Sequence, residues 1–235
     1  MNLQPSPRNP QPGFRAEDAR VVSGSGDRVL RNTYALLALS MIPTVAGAWI
    51  GLATGLGAMM GGLGSLLFLV VAMGMIFAIG RKANTGAAVP LLLGFTFVMG
   101  LMLSGLLGVV LGMHNGSGLV MLAFAGTAAI FFGMAGLSTI IKRDLSAMGK
   151  WLFVGAVMLM VAGIANLFLH SGALMVTLST LAVGIFSAFI LHDLKRVRDG
   201  HETNYVLATL GVYLSVFNVF QNLLALLGIF GGNDD

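Results

Sequence analysis

The side chains that could carry chemistry in this chain lie beside or inside very apolar stretches. Asp193 directly follows an apolar run, in "LHDLKRV", and Ser215, Asn218 and Asn222 lie inside "GVYLSVFNVFQNLLALLGIF", residues 211–230. A carboxylate at an apolar boundary can bind a proton or a cation, whereas hydroxyl and amide groups exchange hydrogen bonds or line a hydrated path. These residue types therefore favour control of protons or ions.

Patterns of covalent catalysis and metal binding are absent from the sequence. A chain without cysteine has no disulfide, no thiolate metal site and no cysteine nucleophile. It contains no H-E-x-x-H or Walker A pattern, and no carboxylate except Asp193 lies within or beside an apolar run. Ser117, in "HNGSGL", lacks the spacing of an intramembrane protease. We predict a protein that is not an enzyme and that needs no cofactor or bound metal.

Composition indicates the class of protein that must position these residues. Of the 235 residues, 57% are hydrophobic and 9% are charged, and the mean hydropathy is +0.90. Soluble domains carry about 25% charged residues, and a helix needs about 20 mostly apolar residues to cross a bilayer. We predict an all-α integral membrane protein, a seven-helix bundle. Its spans lie at approximately residues 33–54, 64–80, 87–107, 118–141, 151–169, 173–191 and 204–230.

The segment before the first span has a different composition. Residues 1–28 hold four of the six prolines, scattered charges and the string "SGSGD". Such a composition is typical of flexible polar segments, and it lacks the apolar region of a secretory signal peptide. We predict a flexible, proline-rich cytoplasmic tail over residues 1–28 and one membrane domain over residues 29–235.

Lysine and arginine predict the orientation. All 13 lie before the first span or between spans two and three, four and five, or six and seven. Seven spans put these segments on one side, and the loops of the other side carry no basic residue. Because basic loops stay in the cytoplasm, we predict a cytoplasmic N-terminus and a C-terminus outside. Because membrane orientation accounts for the positive charge, we expect no nucleic-acid partner.

The last span has one small and polar face. Residues of that kind recur every three or four positions, so they share one side of a helix. They are Asn204, Ala208, Gly211, Ser215, Asn218, Asn222 and Ala225. Because a polar face is unfavourable against lipid, we predict that the seventh helix is central. Its polar groups would form interhelical hydrogen bonds or would line a narrow hydrated path or gate, and the sequence leaves both open.

Asp193 also permits two interpretations. It could be solvated and paired with Arg196 or Arg198, which would stabilise the protein little. Alternatively, it could lie in the cytoplasmic mouth of the bundle near an arginine such as Arg81 and act as a proton-sensitive latch. The candidate pore or gate residues are Asp193, Ser215, Asn218, Asn222 and Arg81.

Glycine spacing predicts close packing of helices. The chain has 33 glycines, and Gly47, Gly51 and Gly55 form overlapping GxxxG patterns. Small residues let helix backbones approach closely in lipid. The pattern fits packing within the chain or dimerisation.

Six motifs follow one another across most of residues 29–230. They are "VLRNTY" at 29–34, "FTF" at 95–97, "FFGMAGLSTIIKRDLSAMG" at 131–149, "ANLFL" at 165–169, "LHDLKRV" at 191–197 and "ETNYVLATLGVYLSVFNVF" at 202–220. In this order and spacing they resemble the Bax inhibitor-1 family, the transmembrane Bax-inhibitor-motif proteins. "VLRNTY" with "ETNY" is similar to the bacterial branch that includes the modulator of a membrane-anchored AAA protease. The resemblance implies a multi-pass protein of a bacterial inner membrane, with seven helices and the last at the centre.

The resemblance also implies two functions. One is a pH-sensitive calcium leak, in which two aspartates on helices six and seven share a proton. Asp193 matches the first aspartate, but Ser215 occupies the position of the second, and a serine cannot form a carboxylate pair. The other is a regulatory partner that engages the protease through its tail and basic loops as a slowly degraded competitor. The missing acid favours the protease modulator, with a calcium or cation leak gated near Asp193 as the alternative.

Overall fold

The apolar segments fold as helices because a helix pairs its own backbone N–H and C=O groups and needs no partner in lipid. A computed structural model describes residues 16–59 and 63–231, in which no strand occurs. The helices are α1 (Ala16–Thr54), α2 (Leu56–Met59), α3 (Leu63–Lys82), α4 (Ala88–Leu111), α5 (Gly116–Ile140), α6 (Ser146–Leu169), α7 (Gly172–Arg198) and α8 (Tyr205–Gly231).

The seven long helices correspond to the seven predicted spans, which confirms the all-α membrane fold. Six of them, α1 and α4 to α8, are long and apolar enough to cross a membrane, and α3 has 20 residues. The observed helices differ from the predicted spans at their ends. Helix α1 begins at Ala16, inside the predicted tail, and residues 1–15 of that tail lie outside the described residues. Helix α7 continues through the charged turn to Arg198 and ends before Gly200, whose φ of 76° is left-handed.

Helices α1 and α4 are in backbone contact. A Cβ atom added at Gly47 would lie 2.1 Å from the carbonyl oxygen of Phe97, and one at Gly100 would lie 2.0 Å from that of Thr44. At Gly51, a Cβ atom would meet the side chain of Ser104 in α4, at 2.3 Å from its Oγ. The GxxxG pattern of α1 therefore serves packing within the chain, through Gly47 and Gly51.

Helix α8 packs against α1, α4, α5 and α7. Tyr213, 1% exposed, joins α8 to two of these helices, α1 and α4. Its hydroxyl lies 2.8 Å from Thr44 Oγ1 of α1, and its ring lies edge-on to Phe95 of α4 with the centroids 6.2 Å apart. The Thr44 hydroxyl also lies 2.8 Å from the Ser40 carbonyl oxygen, and the Tyr213 hydroxyl lies 3.4 Å from the Thr96 carbonyl oxygen. This buried polar group is thus paired, as a membrane interior requires.

Contacts between helix ends bring the basic segments to one end of the bundle. Asn204, which precedes α8, donates a hydrogen bond to the carbonyl of Ala83, which follows α3. Thr209 of α8 donates to the carbonyl of Thr33 in α1, and the start of α6 contacts the end of α7 at Gly149. We call this the basic end. Its basic residues are Arg28, Arg31, Arg81, Lys82, Lys142, Arg143, Lys150, Lys195, Arg196 and Arg198.

Candidate functional site at the basic end

Asp193 lies near the end of α7, where it faces the start of α8. Its side chain is 18% exposed, and a Cβ atom added at Gly211 of α8 would lie 2.8 Å from Asp193 Oδ2. Glycine at position 211 therefore leaves the space that the carboxylate occupies. The carboxylate lies against α8 about one helical turn, roughly 6 Å, before Ser215.

His192 completes this site, although no sequence pattern pointed to it. Its Nδ1 lies 3.0 Å from Asp193 Oδ1, and its side chain is 7% exposed. On the opposite side, a Cβ atom added at Gly149 of α6 would lie 2.5 Å from His192 Nε2. The imidazole is therefore held between the backbone of α6 and the carboxylate. The side chains of adjacent helical residues point about 100° apart. The sequence positions of His192 and Asp193 therefore gave little reason to expect a contact between them.

A pocket of about 80 Å³ lies beside Asp193. It is lined by Asp193, Arg196, Glu202, Leu207, Ala208 and Gly211, and its volume is sufficient for water. Arg196 Nη2 lies 3.8 Å from Glu202 Oε2, so the arginine of the pocket pairs with Glu202. The pocket can therefore present an acidic side chain to a proton or a small cation.

None of the arginines predicted beside Asp193 forms an ion pair with it among the described residues. Arg81 is exposed, with its guanidinium carbon 5.4 Å from the centre of the Phe77 ring on the same helix, and it does not line the pocket. Arg196 lines the pocket, and the partner of Asp193 among the described ion pairs is His192.

The polar face of α8 is bonded to its own helix. Ser215 Oγ donates to the Gly211 carbonyl at 3.0 Å, Asn218 Nδ2 to the Leu214 carbonyl at 2.8 Å, and Asn222 Nδ2 to the Asn218 carbonyl at 2.8 Å. Ser215 is buried, and both asparagines are half-buried. In the described part of the chain, these three side chains form no hydrogen bond with another helix. The Ser215 hydroxyl and one N–H of each asparagine donate one turn back instead.

Asn204 has a structural role that its place on the polar face did not predict. Its Oδ1 accepts hydrogen bonds from the backbone N–H groups of Val206 and Leu207, at 2.9 and 3.1 Å, which caps α8. Its Nδ2 donates to the carbonyl of Ala83 and to Asn84 Oδ1, at 2.9 and 2.8 Å. One side chain therefore fixes the start of α8 against the connection between α3 and α4.

Charges at the basic end differ in how they are compensated. Lys195 is buried and forms an ion pair with Asp199 one turn later. Asp144, in the loop before α6, accepts hydrogen bonds from the hydroxyl and the backbone N–H of Ser146, at 2.6 and 2.8 Å. Both bonds lower the pKa of the Asp144 carboxyl.

Within residues 16–59 and 63–231, no three His, Asp or Glu side chains come together as metal ligands.

Comparison with known proteins gives consistent matches along the chain. A family model described as "Inhibitor of apoptosis-promoting Bax1" matches residues 26–232. The "Modulator of FtsH protease YccA" of Escherichia coli strain K12 is 33% identical over 217 residues, which cover 89% of this chain and 97% of that protein. An uncharacterized protein of Neisseria meningitidis serogroup A is 37% identical over 214 residues, 89% of this chain and 94% of that protein. An uncharacterized membrane protein of Vibrio cholerae is 32% identical over 209 residues, 88% of this chain and 92% of that protein.

Proposed function

Since this chain belongs to the family of the inhibitor of apoptosis-promoting Bax1, we propose that it is a non-enzymatic modulator of a membrane-anchored AAA protease of the FtsH type. The resemblance of its motifs to Bax inhibitor-1 proteins is thereby confirmed. The observation that carries the proposal is the match to the E. coli modulator of FtsH protease, which extends over 97% of that protein.

The packing of α8 supports a modulator better than a conduit. The Ser215 hydroxyl and one amide donor each of Asn218 and Asn222 bind carbonyls of their own helix, so no described hydrogen bond of these side chains crosses to another helix. Asp193 lies against the backbone of α8 at Gly211. Packing of this kind suits a protein that acts through its surface and its termini.

The proposed mechanism is slow competition for the protease. The polar N-terminal segment gives the protease a site to engage and leads directly into α1. Extraction of α1 would have to break the backbone contact with α4, in which Gly47 faces Phe97 and Gly100 faces Thr44. A substrate that is easy to engage and hard to unfold occupies its protease for a long time, which would slow the degradation of others.

The lifetime of the protein in cells tests this mechanism. Deletion of residues 2–25 removes the engagement site, and we expect a longer half-life than that of the full chain in cells with active protease. Without the protease, both half-lives should be equal. A deletion variant that is degraded as fast as the full chain would refute the role of the tail.

We propose that this multi-pass protein lies in the inner membrane of its bacterium, with the basic end in the cytoplasm. A relative in E. coli O6:H1, 33% identical over 217 residues, bears the name "Inner membrane protein YccA". The basic end supports this orientation through the positive-inside rule. A reporter that is active only outside the cytoplasm should work when it is fused to the C-terminus, and inactivity of that fusion would reverse the orientation.

A pH-sensitive leak of calcium or other cations, gated near Asp193, is the second candidate function. The observation that favours it is the pocket of about 80 Å³ beside Asp193 and Glu202. Purified protein in liposomes should then conduct calcium, potassium or protons differently at pH 6 and pH 8. Equal fluxes of the wild-type protein and Asp193→Asn at both pH values would count against the leak.

A further inference from the structure

Helix α1 has a proline in its interior. Pro43 lies within α1, whereas Pro90, the other proline among the described residues, lies in the first turn of α4, where an N–H has no partner within the helix. Pro43 cannot donate a hydrogen bond to the carbonyl of Leu39, four residues earlier, and its ring crowds that carbonyl. Because sharp bends of helices occur at such interruptions, Pro43 divides α1 into an inner part, residues 16–42, and an outer part, residues 44–54.

The outer part is held by contacts of its backbone. A Cβ atom added at Gly100 of α4 would lie 2.0 Å from the carbonyl oxygen of Thr44, the first residue of the outer part. The hydroxyl of Thr44 also lies 2.8 Å from that of Tyr213 in α8. One turn later, Gly47 lies against the carbonyl of Phe97. No side chain separates the two backbones at these points, so the outer part is fixed on α4 from its first residue.

Helix α2 extends this backbone contact. A Cβ atom added at Gly57 of α2 would lie 2.5 Å from the backbone nitrogen of Gly105 in α4, and one added at Gly105 would lie 2.8 Å from the carbonyl oxygen of Gly57. Two glycines therefore bring the backbones of α2 and α4 together. The backbone contact with α4 thus begins directly after Pro43 and continues to Gly57.

The inner part is held by side chains. Residues 27–42 contain no glycine at which another backbone could approach as closely. Leu36 and Leu37 are buried, and the ring of Tyr34 lies edge-on to that of Phe131 in α5, with the centroids 6.1 Å apart. Contacts of this kind can be lost one residue at a time, so the inner part can leave the bundle before the outer part does.

We propose that Pro43 is a hinge that divides the extraction of α1 into two steps. A pull on the N-terminal segment unwinds the inner part first, because the helix bonding is interrupted at the proline and side chains alone hold this part. Unwinding then halts at Thr44, where the backbone contact with α4 begins. This inference rests on the proposed competition for the protease, and it assigns the slow step to residues 44–59.

Pulling on single molecules tests the hinge without a protease. The full chain in a bilayer is pulled by its N-terminus from the side of the basic end. The length of chain released, at about 3.6 Å per residue, gives the residue at which unwinding halts, and we expect a halt near residue 43. Pro43→Ala restores the missing N–H and joins the two parts into one helix, so this halt should be at least about tenfold less frequent.

Gly51→Ala tests the backbone contact separately from the hinge. Its Cβ would meet the side chain of Ser104, and overpacking of this kind should shorten the halt at least about fivefold while its position stays near residue 43. Gly74→Ala in α3 is the matched control, because a Cβ atom there meets no atom within 4 Å. An unchanged duration of the halt in Gly51→Ala would contradict the assignment of the slow step to the outer part.

Two results would refute the hinge itself. One is release of α1 and α2 in a single step from the wild-type protein. The other is a halt near residue 43 that is as frequent in Pro43→Ala as in the wild-type protein. Neither result depends on a protease, so a failed hinge would leave modulation of the protease open, and failed modulation would leave the halt near residue 43 unchanged.

Discussion

The contact of His192 with α6 leads to a quantitative prediction for Gly149. Alanine at this position would place its Cβ 2.5 Å from His192 Nε2 and 2.9 Å from Cε1. The ring would have to move by about 1 Å to restore van der Waals distance. The 3.0 Å bond to Asp193 restrains that movement. Overpacking of this kind costs about 1–3 kcal/mol, so Gly149→Ala should destabilise the protein by that amount.

A double-mutant cycle assigns this cost to the imidazole. In the His192→Ala background the ring is gone, and Gly149→Ala should be neutral or should stabilise α6 by about 0.5–1 kcal/mol, as Gly to Ala does within a helix. The coupling free energy between the two positions should therefore be about 1–4 kcal/mol. The assay is reversible unfolding of purified protein in mixed micelles, followed by circular dichroism.

The same helix offers a control. A Cβ atom added at Gly163 of α6 meets no atom within 4 Å, so Gly163→Ala should not destabilise the protein. If Gly149→Ala costs as much with His192→Ala as it does in the wild-type protein, the imidazole is not what fills the space beside Gly149. The conclusion that the His192 imidazole is held between α6 and the Asp193 carboxylate would then be wrong.

Three further predictions concern other described contacts. Asn204→Ala removes the cap of α8 and should lower the free energy of unfolding by about 1–2 kcal/mol in the same assay. Asn84→Ala removes only one hydrogen-bond partner of Asn204 and should lower it less. Equal losses for the two variants would contradict the capping role. Tyr213→Phe removes the hydroxyl bonded to Thr44 and should destabilise the protein by about 1 kcal/mol, and an unchanged unfolding midpoint would show that this bond contributes nothing. The hydrogen bonds from Ser146 lower the pKa of Asp144 below its ordinary value of 3.8, so the stability they contribute is present above pH 3.8 and is lost as pH falls through the lowered pKa. Asp144→Asn should therefore differ from wild type at neutral pH and converge with it once the pH is below the lowered pKa. A difference that stays constant with pH would refute this linkage.

The fold could be predicted largely from the sequence, because the length of an apolar run and the position of its flanking charges act through simple physical rules. The bilayer sets the length of a spanning helix, and unpaired backbone groups in lipid exclude most alternatives. The GxxxG spacing around Gly47 predicted a close contact, although only the structure identified α4 as its partner.

Details of the candidate site depended on packing that sequence patterns do not report. Helix α7 continues past the end of its apolar run, so His192 and Asp193 are helical and can lie between α6 and α8. The face of α8 that includes Ser215 is polar, as predicted, but each donor has a backbone carbonyl one turn away and needs no other helix. The capping role of Asn204 follows from the position of the helix start, which a periodic pattern leaves uncertain.

The rate at which the protease degrades another membrane substrate tests the proposed function most directly. In reconstituted membranes that contain the purified FtsH-type protease and a labelled substrate, addition of the full chain should slow degradation in proportion to its amount. The variant without residues 2–25 should slow it much less. An unchanged degradation rate at a large excess of the full chain would contradict the proposal that this protein modulates the protease.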